Sequence, residues 1–302
     1  MQKDREKGTH ACSPRIPVKR PSFIGGFVRA FEYAQFLVEV RLASFGIIGT
    51  LFLCHAGWSQ PLIVAHRGSS FEAPENTLPA FELAWKQGAD AIEGDFLLTK
   101  DNQIVCIHDA STKRLADQNL VVRQSTLKEL RELDVGSWKH EKYKGTKIPT
   151  IAEVLATIPK GKKIFVEVKC GKEIIPYLVK EIGKSKLKAE QVVLICFKQE
   201  VVQAFKKAMP KNKAYWLSSF KKDKEGVWKP TLETVLATLK GCQADGLDSH
   251  HGIPGAASRK IMKAGYEWHA WTVNDVATAK KLKALGIHSI TTDRPELIKS
   301  SL

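Results

Sequence analysis

The six cysteines of this 302-residue chain include no Cys-x-x-Cys pair and no zinc-like spacing, so zinc-finger and thioredoxin-type chemistry have no support. No Gly-x-Gly-x-x-Gly follows a strand pattern and no Walker motif occurs, which removes dinucleotide and P-loop readings. RNP, zinc-finger and helix-turn-helix patterns are likewise missing, so nucleic acid is not an expected partner despite a net charge of +15. Residues 1–60 carry eight Lys/Arg against four Asp/Glu, and the remainder 39 against 28, so most of the excess lies on the folded part. Such a surface favours small anionic substrates and anionic membrane surfaces.

What the chain does contain is concentrated between Leu62 and Asp109. LIVA is a short apolar run that stops at His66-Arg67-Gly68, where a buried strand would turn. Asn76-Thr77 reads as a helix start and Gln87-Gly88 as its stop. AIEGDFLL is a second strand, and IVCI a third that ends at His108-Asp109. Glu93 and Asp95 are two apart, so on an extended chain they share a face. A single histidine at a strand end is usually structural, and a Glu-x-Asp pair is usually a solvated face. Here the alternate residues are apolar, as in a strand covered on both sides. Two inward carboxylates are costly unless a cation lies between them, and a divalent metal with hard oxygen ligands is the economical answer. His, Glu/Asp and His fall near the ends of three successive strands, where parallel α/β folds place active sites.

Beyond residue 150, strand and helix patterns alternate: KIFVEVK, VVLICF, AYWL, ADGL, EWHAWTV and SITTDRP, with amphipathic helices between. Repeated βα units in roughly 240 residues predict an α/β fold, a TIM (β/α)8 barrel. Nine strand candidates are one too many, and the surplus falls in the hairpin-like region 91–108. Residues 110–150 form a small insertion after the third strand, too long for an ordinary barrel loop. Glu167-x-Lys169 repeats the same-face pattern, with an internal salt bridge as the structural alternative to a site. His250-His251 is expected in a surface loop, and Cys106, Cys170 and Cys196 as buried thiols, Cys170 and Cys196 on neighbouring strands where they could pair.

His66-Arg67-Gly68, Pro74-Glu75-Asn76-Thr77, Glu93-x-Asp95, Thr99-Lys100-Asp101 and His108-Asp109 resemble, in order and spacing, the signature of glycerophosphodiester phosphodiesterases, a family of TIM-barrel, phospholipase-C-like phosphodiesterases. VEVK, WTVN and Thr292-Asp293-Arg294-Pro295 extend the likeness over about residues 61–298. Two departures stand out. ASTKRLADQNLVV lacks the usual Leu-x-Arg-Thr-Thr pattern, and Cys196-Phe197 stands where the family has Ser-Phe. The resemblance implies metal-dependent hydrolysis of glycerophosphodiesters to glycerol 3-phosphate and an alcohol. One Mg2+ or Ca2+ would be held by Glu93, Asp95 and Glu167, phosphate by Arg67 and Lys169, and His66 and His108 would be the acid–base pair. Phe197 and Trp271 would line the pocket. The alternatives are a phospholipase acting on intact lipid and a catalytically silent anion-binding barrel.

Residues 1–60 precede this domain, which is expected to span 61–302. Residues 1–22 read as disordered, and the thirteen uncharged residues Leu42–Cys54 as the apolar core of a secretory signal. The expected localisation is export, periplasmic or extracellular, with membrane anchoring through residues 42–56 as the competing reading. Forty residues ahead of Leu42 exceed an ordinary signal n-region, which suggests a translation start near Leu37–Val40.

Overall fold

The computed structural model describes residues 60–302, so the signal, anchor and start-site expectations lie outside the described residues. The elements run β1 (Leu62–Ala65), α1 (Leu78–Lys86), β2 (Ala91–Leu98), β3 (Ile104–Cys106), α2 (Leu127–Glu132), α3 (Ile151–Ala156) and β4 (Lys163–Val168). They continue with α4 (Ile175–Lys184), β5 (Val192–Cys196), α5 (Gln199–Ala208), β6 (Ala214–Ser218), β7 (Lys221–Lys222), β8 (Trp228–Lys229) and α6 (Leu232–Gly241). The last are β9 (Gly246–His250), α7 (Gly255–Lys263), β10 (Glu267–Trp271), α8 (Val276–Ala284), β11 (Ser289–Thr292) and α9 (Pro295–Ser301). No helix among the described residues is long and apolar enough to cross a membrane.

Eight strands pair in parallel in the order β1, β2, β4, β5, β6, β9, β10, β11, and β11 returns to β1 to close the barrel. The surplus candidate is β3, which pairs antiparallel with β2 through Phe96↔Cys106 and Leu98↔Ile104. The IVCI strand is therefore a hairpin arm and not a third barrel stave. A β hairpin needs only a tight turn, supplied by Asp101-Asn102 with Asn102 at φ 58, whereas a parallel partner needs a crossover.

Alternation along each strand divides the interior in two. Outward residues such as Ile63, Ile92, Ile164 and Leu194 meet the helix layer in the main core. Inward residues Val64, Ala91, Phe165, Val193, Tyr215 and Leu217 form a separate cluster inside the barrel. The segment between β3 and α3 builds a third small core from Val122, Leu130, Leu133, Val135 and Ile148 against Val105. Two short helices open and close it, each with a reciprocal capping box, Thr126 with Glu129 and Thr150 with Glu153. It docks beside the β1–α1 loop, where Lys139 Nζ donates to the Ser70 carbonyl at 2.8 Å and Tyr143 Oη to the Glu72 carbonyl at 3.2 Å.

Candidate active site

The C-terminal ends of β1, β2 and β4 carry most of the site. Period-two alternation sends Glu93 and Asp95 inward from β2 and Glu167 from the facing register of β4, where Asp95 is paired with Glu167. Each of the three offers a carboxylate oxygen within 4.8 Å of the others, a grouping of the kind that can hold a metal. Glu93 and Asp95 are buried, and Glu93 Oε1 has no hydrogen-bond partner. Burial, with Asp95 and Glu167 nearby, drives the Glu93 carboxyl well above its ordinary range, and Glu167 is raised by burial and Asp95. Asp95 goes the other way: against burial, Arg67 and Lys169 hold it ionised, with Asn76 Nδ2 donating at 2.8 Å. Three crowded acids with one orphaned oxygen fit a hard divalent cation.

Arg67 and Lys169 are both committed to these acids. Lys169 Nζ lies 2.7 Å from Glu167 Oε1 and 3.4 Å from Asp95 Oδ1. The Arg67 amide donates to Glu93 Oε2 at 2.9 Å, and its Nη1 donates to Glu75 Oε1 at 3.1 Å. Arg67 Nε is 3.2 Å from Asp95 Oδ2, an ion pair by distance, but the angle is outside hydrogen-bond geometry and the buried N–H has no acceptor. Burial works against the Arg67 and Lys169 charges, yet the carboxylates, Asp95 foremost, outweigh it and raise both.

The loop that presents Arg67 is shaped by backbone constraints. Arg67 and Asn76 adopt left-handed φ of 55 and 57, and Gly68 follows at φ 81. A Cβ on Gly68 would lie 2.6 Å from the Ala80 carbonyl carbon, so α1 can approach only a glycine here. Left-handed non-glycine residues at a cleft are a feature of functional sites. Asn76 is fixed at both ends: its Oδ1 accepts from the Asp95 amide at 3.0 Å and from Cys106 Sγ at 3.2 Å.

His66 follows β1, with Nδ1 2.6 Å from Asp293 Oδ1 at the end of β11. Burial opposes ionisation of Asp293, but hydrogen bonds from His66, Asn274 and Ser70 hold it down at about 2. His108 does not come from a barrel strand as its position after IVCI suggested. It follows the β3 hairpin arm, with Nδ1 2.7 Å from Asp109 Oδ1. Asp109 Oδ2 accepts from Arg114 Nε at 2.8 Å, and Arg114 makes a two-pronged contact with Glu75 at 2.9 and 2.7 Å. Both histidines thus have one nitrogen against a carboxylate, which leaves Nε2 for the cleft.

The cleft is a cavity of about 180 Å³ lined by the polar groups of His66, Arg67, Glu93, His108, Glu167, Lys169 and Asp248 together with Ile195, Leu217, Thr291 and the pair Phe197 and Trp271. Phe197 and Trp271 meet edge to face at 5.8 Å, with Phe197 largely exposed at the rim. All nine expected site residues therefore border this cavity or, for Asp95, sit directly behind it. Cys196 points away, with Sγ 3.1 Å from the Val168 carbonyl oxygen and its thiol pushed to about 12 by burial. Cys170 and Cys196 are both free, so the strand-neighbour pairing is not made. His250 is corrected too. It ends β9, edge-on to Trp271 at 5.7 Å, because that strand continues three residues beyond Leu247. Sequence reading missed Asn76, Arg114 and Asp293 as orienting groups and Asp248 as a cavity residue.

A closed parallel barrel with a buried acidic cluster and two carboxylate-bound histidines at the C-terminal ends of its strands has the layout of a barrel enzyme. Residues 66–297 match the glycerophosphoryl diester phosphodiesterase family. The chain is 35% identical over 250 residues to the Bacillus subtilis (strain 168) protein YhdW, covering 78% of this chain and 96% of that one. It is 32% identical over 244 residues to the glycerophosphodiester phosphodiesterase of Caldanaerobacter subterraneus subsp. tengcongensis, covering 78% and 96%. Among solved structures, an Oleispira antarctica phosphodiesterase in complex with the product sn-glycerol-3-phosphate superposes with a TM-score of 0.72 at 29% identity, covering 80% and 96%. The chain belongs to the glycerophosphoryl diester phosphodiesterase family and is a phosphoric diester hydrolase.

Proposed function

We propose that this enzyme hydrolyses glycerophosphodiesters to glycerol 3-phosphate and an alcohol with the help of one divalent cation, Mg2+ or Ca2+. The observation that carries the reading is the unpartnered Glu93 Oε1 inside a three-carboxylate cluster that faces two oriented histidines. Glu93, Asp95 and Glu167 would hold the cation. When bound, it would draw charge from the non-bridging phosphate oxygens and stabilise the transition state.

The chain's own groups do the rest. Lys169 and Arg67 place positive charge beside the phosphate, the planar guanidinium being suited to two oxygens. Ionised Asp293 and Asp109 fix the Nδ1–H tautomers of His66 and His108, which leaves each Nε2 free to take a proton when neutral or give one when charged. One histidine removes the proton of the attacking hydroxyl and the other protonates the leaving alkoxide. The family resemblance implies that the neighbouring glycerol hydroxyl attacks first, forming a cyclic phosphate that water then opens. Trapping a cyclic product with His66 or His108 variants tests that step.

The deciding experiment is a panel of soluble glycerophosphodiesters assayed with Mg2+, Ca2+ and chelator beside intact phospholipid vesicles. Turnover of the soluble diesters that chelator abolishes is expected. Turnover confined to vesicles, or none with any ion, would overturn the reading. We further propose export of the barrel domain after cleavage following Ala56 or Ser59, which leaves a mature protein that starts just before β1. N-terminal sequencing of the mature protein would reject this by finding residues 1–30.

A further inference from the structure

Three alternate residues of β9, Gly246, Asp248 and His250, face the barrel interior. The first has no room for a side chain, since a Cβ on Gly246 would come within 2.4 Å of the Glu267 carbonyl oxygen. The second is a carboxyl that lines the substrate cavity and is only 1% exposed. Its Oδ1 has no hydrogen-bond partner among the described residues. Asp248 lies outside the carboxylate trio that suits a cation, and its register neighbours are Leu217 on β6 and His269 on β10.

A buried carboxyl left without partners costs several kcal/mol unless a ligand completes its hydrogen bonds. We propose that Asp248 binds a hydroxyl of the substrate's glycerol end, and so selects glycerol-bearing phosphodiesters over those without hydroxyls. The assignment rests on the phosphodiesterase reading above and adds the residue that recognises the non-phosphate half. Position decides which half: among the lining residues Asp248 is buried and Phe197 exposed, so the small invariant glycerol fits beside Asp248, while the variable alcohol extends past Phe197 towards solvent. Chemistry agrees. Burial and Glu167 push the Asp248 carboxyl well above its ordinary range, and a neutral carboxyl both donates to and accepts from a hydroxyl. An ammonium head group would instead need it ionised.

Calorimetric binding to the metal-loaded protein separates the two halves without turnover. The probes are sn-glycerol 3-phosphate and inorganic phosphate. Asp248→Leu removes both hydrogen-bonding atoms at similar volume and should weaken glycerol phosphate about tenfold, the value of one good hydrogen bond, with phosphate changed less than twofold. Asp248→Asn, which keeps a donor and an acceptor, should restore glycerol phosphate to within about threefold. Should the leucine variant not fold, Asp248→Ala is read the same way. Equal weakening of both ligands, or of neither, overturns the proposal. So does a KM increase confined to glycerophosphocholine and absent for glycerophosphoglycerol, which would assign Asp248 to the head group. Failure of wild type to turn over any diester would sink the phosphodiesterase reading itself, a result these binding constants do not depend on.

Discussion

The barrel encloses two buried polar clusters a few residues apart, and they are built on opposite principles. The lower one joins Tyr215, Glu267, His269 and Ser289. Tyr215 Oη donates to Glu267 Oε2 at 2.5 Å, His269 Nδ1 is 2.8 Å from Ser289 Oγ, and the His269 ring stacks on Tyr215 at 3.9 Å. His269 Nε2 lies 3.5 Å from Glu267 Oε2, near but outside hydrogen-bond geometry, and Lys213 supplies a cation to Glu267 at 3.2 Å. The upper cluster crowds three acids together and leaves one oxygen with nothing. The lower cluster sets one carboxylate among a tyrosine, a histidine and a lysine, whereas three carboxylates crowded against two cations survive only where something else gains from them. The contrast separates structure from function within one barrel.

The contrast breaks first, and hardest, at the acids. Glu93→Gln should cut turnover at least about a thousandfold, the scale of a lost cation contribution, while raising the melting temperature of the metal-free protein. An unchanged rate, or a drop in melting temperature, would show that the upper cluster is structural after all. His66→Asn and His108→Asn should each cost about a hundredfold or more in kcat, with stability little affected. Asp293→Asn should cost about ten- to a hundredfold through loss of the fixed His66 tautomer, seen as a changed pH–rate profile and a retained metal affinity. Tyr215→Phe, in the lower cluster, should leave kcat within about twofold and cost about 1 kcal/mol of stability by denaturant titration.

pH sharpens the same comparison, because the two clusters give slopes of opposite sign. Burial, only partly offset by Glu267, lowers His269 from an ordinary 6.5 to about 4. The unfolded chain then binds the extra proton first, so this cluster's stability is whole above about 6.5 and is lost as pH falls towards about 4. Glu93 is shifted upward, so its cost is absent below the usual carboxylate range and grows as pH rises towards its own raised value. Melting curves of metal-free protein should therefore fall off on both sides, and adding a divalent cation should restore the alkaline side alone.

Legibility followed distance along the chain. Glu93-x-Asp95 and Glu167-x-Lys169 were readable because a strand's two-residue period is local. The barrel was readable because each βα unit is local too. Asp293 acts on a histidine 227 positions away, which no local pattern encodes. Arg114 lies in the segment that departs from the family pattern, so its bridge from Asp109 to Glu75 could come only from coordinates. Asp248 was within reach: continuing β9 past Leu247 would have put Gly246, Asp248 and His250 on one face.

The two histidines are mounted unlike each other. His66 is the first residue beyond a stave whose neighbours lock it from both sides, through β11 and β2. His108 hangs from a hairpin arm that pairs with β2 on one edge and, on the other, only with the Pro149–Thr150 segment ahead of α3, and it is steadied by an arginine from the adjoining insertion. The cylinder closes through β1, β2 and β4 without that flap, so evolution, or an engineer grafting hairpins between relatives, can reposition His108 and leave the eight-stranded scaffold in place.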